Sequence, residues 1–189
     1  MIQLKKLGIA AVLVMVAFLF GSCGENGGNG VGPGEECPSG SLQLVFDPDP
    51  AYVSVGNSKT VEVKILNAEN LVSARVLITY DDDKVEVTGI DIAGVADNLF
   101  ASTGASIVVS EMDYDTPGTI IFGLLGRKEG FQGVSGDGPI AEITFLAKVA
   151  DPTTDLTFGA AELYDYPVDN PPVPIADICF NHGKILPPQ

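Results

Sequence analysis

Short runs in which apolar and polar residues alternate constrain the fold of this chain more than any other feature. Residues 60–65 alternate with Val61, Val63 and Ile65 on one side, and residues 72–80 keep the same period over nine positions. A period of two is typical of a strand with one buried face, and no run shows the 3.6-residue period of a three-turn helix. The sequence therefore predicts an all-β fold.

Further strand-like runs follow at short intervals, and residues that favour turns separate them. The predicted strands, all after Leu42, are residues 60–65, 72–80, 85–87, 106–110, 119–125, 140–149, 156–158 and 175–185. Turns are expected at Gly56-Asn57, at Pro117-Gly118 and over residues 135–139. Short strands separated by turns at such regular intervals are typical of an antiparallel β-sandwich. One short helix within residues 92–100 is the expected exception.

The charge balance excludes one class of partner. The 189 residues include 25 acidic and 10 basic side chains, for a formal net charge of −15. A nucleic-acid surface needs clustered Lys and Arg to neutralise phosphates. The two arginines, Arg75 and Arg127, lie far apart in the sequence, and the lysines are scattered. We therefore expect no nucleic-acid partner.

The chain has few residues suited to catalysis. One histidine, His182, and three cysteines exclude a His-based triad and a multi-His zinc site. No phosphate loop, nucleophile elbow or zinc-helix motif occurs. A carboxylate pair for glycoside hydrolysis would have to act without an aromatic sugar platform, since there is no Trp. The sequence predicts a protein that is not an enzyme, with His182 in an exposed loop.

The first 22 residues have the organisation of an export signal. Two lysines precede an apolar run over residues 7–20, and two small residues precede Cys23. The run spans roughly 21 Å as a helix, short of the ~30 Å hydrocarbon core of a bilayer. Its end, LFGSC, resembles a bacterial lipobox, which implies that Cys23 becomes the lipid-anchored N-terminus. A transmembrane helix and cleavage by ordinary signal peptidase are the alternatives.

A tether follows the expected anchor. Seven of the 17 residues from Gly24 to Gly40 are glycine, which is typical of a flexible linker. Removal of residues 1–22 takes two basic and no acidic residues, leaving a formal charge of −17. Anionic lipid headgroups would repel so acidic a domain, so we expect it to stand away from the membrane. The predicted division is a signal peptide over 1–22, an anchor and tether over 23–41, and a β-sandwich over 42–187.

Export to an oxidising compartment favours a disulfide between Cys37 and Cys179. These residues lie at opposite ends of the expected domain and would bring its first and last segments together. Two free thiols are the alternative.

The order of the strands and turns resembles that of a cohesin domain. Val55-Gly56-Asn57 opens a strand, Asn70-Leu71-Val72 opens the next and Tyr80-Asp81 closes it, while Gly136-Asp137-Gly138 precedes Ile143-Thr144-Phe145. The resemblance covers about residues 42–186. It implies a nine-stranded antiparallel sandwich with jelly-roll topology and a non-catalytic role in binding dockerins, associated with polysaccharide catabolism.

The resemblance also implies where a protein partner binds. Cohesins dock on a sheet face that includes the strand corresponding to residues 72–80, whose outward positions here are Ser73, Arg75, Leu77 and Thr79. An outward Leu beside hydrogen-bonding groups suits an interface, although one outward Leu also occurs on ordinary surfaces. Well-studied cohesins often have Asn or Asp where Ser73 and Arg75 stand, so the partner surface is expected to differ.

Carbohydrate binding is the main alternative function. Sugars stack on exposed aromatic rings, and Tyr164 and Tyr166 are expected to share one face near a strand edge, with Asp165 between them. Binding of polysaccharide through this pair would replace protein docking.

One segment of the sequence partly matches a calcium-binding loop. Asp113 and Asp115 occupy positions 1 and 3 of a loop with Gly118 at position 6, but position 12 is Leu124 and not the Glu that an EF-hand requires. We therefore expect no metal and no cofactor, with a fortuitous calcium at Asp113/Asp115 as the alternative. The predicted protein is a docking module anchored to the cell envelope, at the outer membrane or cell surface.

Overall fold

The structure is a computed structural model that describes residues 37–127, 132–165 and 171–189. Within these ranges it contains eleven strands and one short helix. In chain order they are β1 (Gln43–Asp47), β2 (Ala51–Tyr52), β3 (Ser58–Thr79), β4 (Val85–Asp91), α1 (Leu99–Ser102), β5 (Ser106–Asp113), β6 (Thr119–Arg127), β7 (Val134–Ala147), β8 (Thr154–Asp165), β9 (Val173–Pro174), β10 (Cys179–Phe180) and β11 (Gly183–Leu186).

The strands form a sandwich whose two layers share the long strand β3. The first half of β3 pairs with β1 and β7, and these are extended by β10 and β4, which gives the order β10-β1-β3-β7-β4. The second half pairs with β6 and β8, which gives β5-β6-β3-β8-β11-β2, with β9 also paired to β8. We call these layers sheet I and sheet II.

Strand β3 crosses between the sheets at a pair of asparagines. Asn67 and Asn70 have positive φ values of 57° and 53°, a conformation that Asn tolerates better than most residues. Strand β7 satisfies their backbone amides, since the Asn67 N–H donates to Asp137 at 2.6 Å and the Asn70 N–H donates to Ser135 at 2.9 Å. The backbone therefore turns here without leaving its polar groups unpaired.

The core lies between the two sheets and follows the alternation seen in the sequence. Val61, Val63 and Ile65 are fully buried on sheet I, and Val76 and Ile78 are fully buried on sheet II. Three phenylalanines fill much of the interior, namely Phe100, Phe122 and Phe145. Tyr80, predicted as core, is half-buried and packs edge-on against Phe145.

The all-β sandwich is confirmed, but the expected count of nine strands is wrong. The described residues contain eleven, where the resemblance implied nine, and three of the eleven (β2, β9 and β10) are only two residues long. The sheets are also not wholly antiparallel, since β1 with β10 and β11 with β2 pair in parallel. These parallel pairs place the last strands beside the first ones.

Several predicted boundaries are also wrong, among them that of the run 175–185, which contains two separate strands, β10 and β11. The runs 60–65 and 72–80 are one continuous strand, because the turn at the asparagines changes its sheet without ending its pairing. Residues 135–139 are part of β7 and not a separate turn. They pair with β3 through register shifts as it bends, with Gly136 at a φ of 118°.

The short helix α1 overlaps the predicted segment 92–100 only at Leu99 and Phe100 and extends two residues beyond it. Asn98 caps it, accepting from the Phe100 N–H at 2.9 Å. The Asn98 side chain is fully buried and also donates to the carbonyls of Ile92 and Ile140. The cap therefore ties the segment before α1 to β7.

The Cys37–Cys179 disulfide is present, as predicted. It joins the chain before β1 to the start of β10, next to the parallel pairing of Gln43 with Cys179. No helix in the described part of the chain is long and apolar enough to cross a membrane. Cys23 and the expected signal lie outside the described residues.

Candidate functional site

The four predicted docking residues lie on the outward side of sheet II, in the second half of β3. Ser73, Arg75 and Leu77 are half-buried and Thr79 is exposed, while the residues between them are buried. This confirms the predicted orientation of the strand.

Register across sheet II places these residues in rows with those of β5, β6 and β8. An upper row contains Val108, Leu125, Ser73 and Tyr164, a central row contains Glu111, Gly123, Arg75 and Glu162, and a lower row contains Asp113, Ile121, Leu77 and Ala160. Residues directly opposite in antiparallel strands project from the same side. We call these twelve positions the outer face.

The central row is held by an ion pair that spans three strands. The Arg75 Nε donates to Glu111 Oε2 at 2.6 Å, passing over β6 at Gly123. A Cβ at Gly123 would lie 2.7 Å from the Ser110 Oγ, so a larger residue does not fit without movement. The hydrogen bond to Glu111 raises the pKa of Arg75, and the charge of Glu162 acts in the same direction. The guanidinium is thus fixed beside two carboxylates.

The lower row is shaped by a second glycine. Gly159 is the extra residue at the register shift where Leu77 pairs with Ala160 and Ile78 pairs with Phe158. A Cβ at Gly159 would lie 2.3 Å from the Leu77 Cδ2. The Leu77 side chain therefore lies over Gly159, in the space that a larger side chain at position 159 would occupy.

The upper row is the most apolar exposed part of the outer face. Val108 and Leu125 lie opposite each other on β5 and β6, with 50% and 42% of their surface exposed. Val109 and Met112 of β5 are also exposed, at 42% and 49%, although their partners Leu124 and Phe122 are buried core residues. Apolar exposure is therefore concentrated along β5.

His182 does not lie in an exposed loop as predicted. It is half-buried, and its Nδ1 accepts from the Phe158 N–H at 3.1 Å. It also packs near the rings of Phe158 and Phe180. Burial lowers the pKa of His182, and the charge of Asp155 partly opposes this. The prediction was wrong because the chain returns along β8 after β10, a contact that sequence order does not show.

The tyrosines proposed for sugar binding are only partly located. Tyr164 is half-buried in the upper row beside Ser73, and Tyr166 lies outside the described residues. Binding of a sugar by Tyr164 and Tyr166 together therefore stays a prediction.

Asp113 and Asp115 take part in a turn. The Asp113 carboxylate accepts from the Asp115 N–H at 3.1 Å, an arrangement typical of Asp in turns. Within the described ranges, no group of three or more His, Cys, Asp or Glu side chains is placed to hold a metal ion.

The sequence did not identify the residues contributed by the neighbouring strands. Glu111, Ile121, Leu125 and Glu162 join the predicted set only through the register of β5, β6 and β8 with β3. The run over residues 119–125 predicted a strand, but neither its outward side nor its neighbours. Bulges on β5 and β8 shift the register, so counting residues would have paired them wrongly.

Comparison with known proteins identifies the family. The cohesin domain model matches residues 44–166, more than half of the chain. No curated protein sequence matches the chain.

Solved structures share the fold at low sequence identity. The seventh ScaB type I cohesin from Pseudobacteroides cellulosolvens superposes with a TM-score of 0.62 at 19% identity, covering 78% of this chain and 92% of that one. A non-cellulosomal cohesin from the archaeon Archaeoglobus fulgidus gives 0.54 at 19% identity, covering 79% and 91%. A type I cohesin–dockerin complex from Clostridium thermocellum gives 0.57 at 17% identity, covering 80% and 96%. The chain belongs to the cohesin domain family, whose members are non-catalytic protein–protein interaction modules.

Proposed function

We propose that this chain docks a dockerin-type protein through the outer face of sheet II, as a lipid-anchored module of the cell envelope. The observation that carries the docking proposal is the composition of that face. Apolar rows lie on either side of a polar central row whose arginine is held by an ion pair. Interfaces commonly combine apolar anchors with preorganised polar groups in this way.

The related structures support the kind of partner. One solved relative is described as a cohesin bound to a dockerin, and another is a non-cellulosomal cohesin. Family membership therefore supports a protein partner but leaves its setting open. The association with polysaccharide catabolism rests on resemblance to cellulosomal cohesins.

The anchor proposal rests on the sequence alone. Cys23 follows an apolar run and two small residues, and the glycine-rich segment after it would separate the domain from the membrane. Together these features favour an exported protein held by acyl chains on Cys23. The Cys37–Cys179 disulfide agrees with an oxidising compartment.

A pull-down from the source organism tests docking. The tagged full-length protein, solubilised in mild detergent, would be compared with an Arg75→Glu/Leu77→Asp variant, and captured proteins would be identified by mass spectrometry. We expect the wild type to retain a dockerin-bearing protein and the variant to lose it. Equal capture by both proteins would contradict docking through the outer face.

A second variant separates docking from folding. Gly159→Ala places a methyl group against the flexible end of Leu77, so Leu77 is expected to move outward with little change in thermal stability. Capture of the dockerin-bearing protein should fall. Gly89→Ala, where the added Cβ meets nothing within 4 Å, is the matched control on sheet I.

A polysaccharide-binding assay, run beside the pull-down, tests the carbohydrate alternative. Insoluble polysaccharide would be incubated with the wild type and with a Tyr164→Ala/Tyr166→Ala variant. Retention of the wild type alone, with no protein captured in the pull-down, would replace docking by sugar binding.

The anchor is tested separately by metabolic labelling with a fatty-acid analogue. We expect label on the wild type and none on Cys23→Ala, together with release of the variant from the membrane fraction. An unlabelled wild type would contradict the anchor and leave the docking proposal unaffected.

A further inference from the structure

We infer that the outer face selects a partner that presents a Lys or Arg side chain opposite its central row, an inference that rests on the proposed docking function. The partner chemistry follows from how the charges of this row are arranged.

Arg75 already forms an ion pair with another residue of the outer face. Its Nε donates to Glu111 at 2.6 Å, and both side chains are 41% exposed. An acidic group on a partner would have to compete with Glu111 for the guanidinium. It would also approach Glu111 itself, which costs free energy because like charges repel.

The carboxylate on the other side of Arg75 has no such partner. Glu162 is exposed and lies opposite Arg75 on β8, and it makes no ion pair among the described residues. The central row thus carries two carboxylates and one guanidinium. Asp113, exposed in the lower row, adds a further negative charge on the β5 side.

Docking would remove water from this row. Arg75 and Glu111 would stay satisfied by each other, whereas Glu162 would lose its hydration with only the charge of Arg75 nearby, which is already hydrogen-bonded to Glu111. Burying an unpaired carboxylate is costly, and a cation from the partner offsets that cost. The apolar residues of the upper and lower rows would contact the partner residues on either side of this cation.

Charge variants of the full-length protein test the inference. The probe is the dockerin-bearing protein identified in the pull-down, and affinity would be measured at low and high salt. Glu162→Gln should weaken binding about tenfold at low salt and reduce the dependence of affinity on salt. Arg75→Gln, which leaves a second free carboxylate, should bind at least as tightly as the wild type.

Glu86→Gln is the matched control, because Glu86 is an exposed glutamate on sheet I and its loss changes the net charge equally. It should leave the affinity unchanged. Wild-type affinity in Glu162→Gln, or weaker binding by Arg75→Gln with tighter binding by Glu162→Gln, would overturn the inference. The Leu77→Asp change of Arg75→Glu/Leu77→Asp puts a charge among the apolar residues of the lower row and should weaken docking whatever the charge of the partner. If this variant also binds like the wild type, the docking proposal itself fails, so the two failures are distinguishable.

Discussion

Single residues on sheet II explain why the outer face has a fixed shape. Gly123 and Gly159 each make room for a neighbouring side chain, the first for Ser110 and the second for Leu77. In the sequence Gly123 lies inside a predicted strand and Gly159 follows one directly, although glycine otherwise weakens a strand. The need for glycine at these two positions is seen only once the side chains that lie against them are known.

Gly123→Val tests the first of these glycines. Its side chain would displace Ser110 and project from the outer face, so a partner could not approach the central row as closely. We expect both weaker docking and a loss of about 1–3 kcal/mol in the free energy of unfolding. Urea denaturation and dockerin capture measure the two effects. Unchanged capture by a folded Gly123→Val protein would show that the partner does not approach the outer face at Gly123.

His182 gives the fold a pH-dependent hydrogen bond. Its pKa is lowered by burial, so the unfolded state binds the proton more readily than the folded state. The free energy of unfolding should therefore fall as the pH drops through about 6.5, the ordinary His value.

His182→Asn keeps an acceptor for the Phe158 N–H but cannot be protonated, so its stability should vary less over this pH range. Urea unfolding of both proteins between neutral and mildly acidic pH provides the comparison. Identical pH profiles would contradict the assigned role. His182→Ala, which leaves the Phe158 N–H unpaired, should cost about 1–3 kcal/mol at neutral pH.

At the scale of elements, β3 organises the molecule. Its first half lies in sheet I and its second half lies in sheet II, so the outer face depends on the angle of the crossing at Asn67 and Asn70. Alternation predicted both halves and their buried sides correctly. It did not predict that they form one strand, because asparagine is also typical of a turn that ends a strand.

Asn70 variants test the crossing. Asn70→Ala should be destabilising by about 1–3 kcal/mol, because alanine disfavours positive φ and the bond from the Gly133 N–H to the Asn70 Oδ1 is lost. Asn70→Gly loses the same bond but tolerates the backbone, so it should cost less. Thermal unfolding compares them, and an alanine variant as stable as the glycine variant would argue against backbone strain at this position.

At the scale of the whole molecule, the disulfide joins the two ends of the domain. Cys37 and Cys179 are 142 positions apart, and they meet where β1 and β10 pair in parallel. The pairing of the cysteines was predictable from the expected compartment. The parallel pairing beside it was not, because two-residue strands leave no pattern in the sequence.

Removing the bridge should lower stability strongly. In the chain-entropy model a loop of this length contributes about 4–5 kcal/mol, so Cys37→Ala/Cys179→Ala should unfold at a much lower urea concentration. The wild type in reductant should approach the variant. Coincident unfolding curves for oxidised wild type and variant would contradict a stabilising role.

Contact between a dockerin-type partner and the outer face of sheet II can be observed by methyl NMR of the full-length protein in detergent, with and without the captured partner. We predict that the methyl signals of Leu77, Ile121, Leu125 and Val108 shift while those of the core residues Val61 and Ile143 do not. Shifts confined to sheet I, with the outer-face methyls unchanged in a saturated complex, would contradict it.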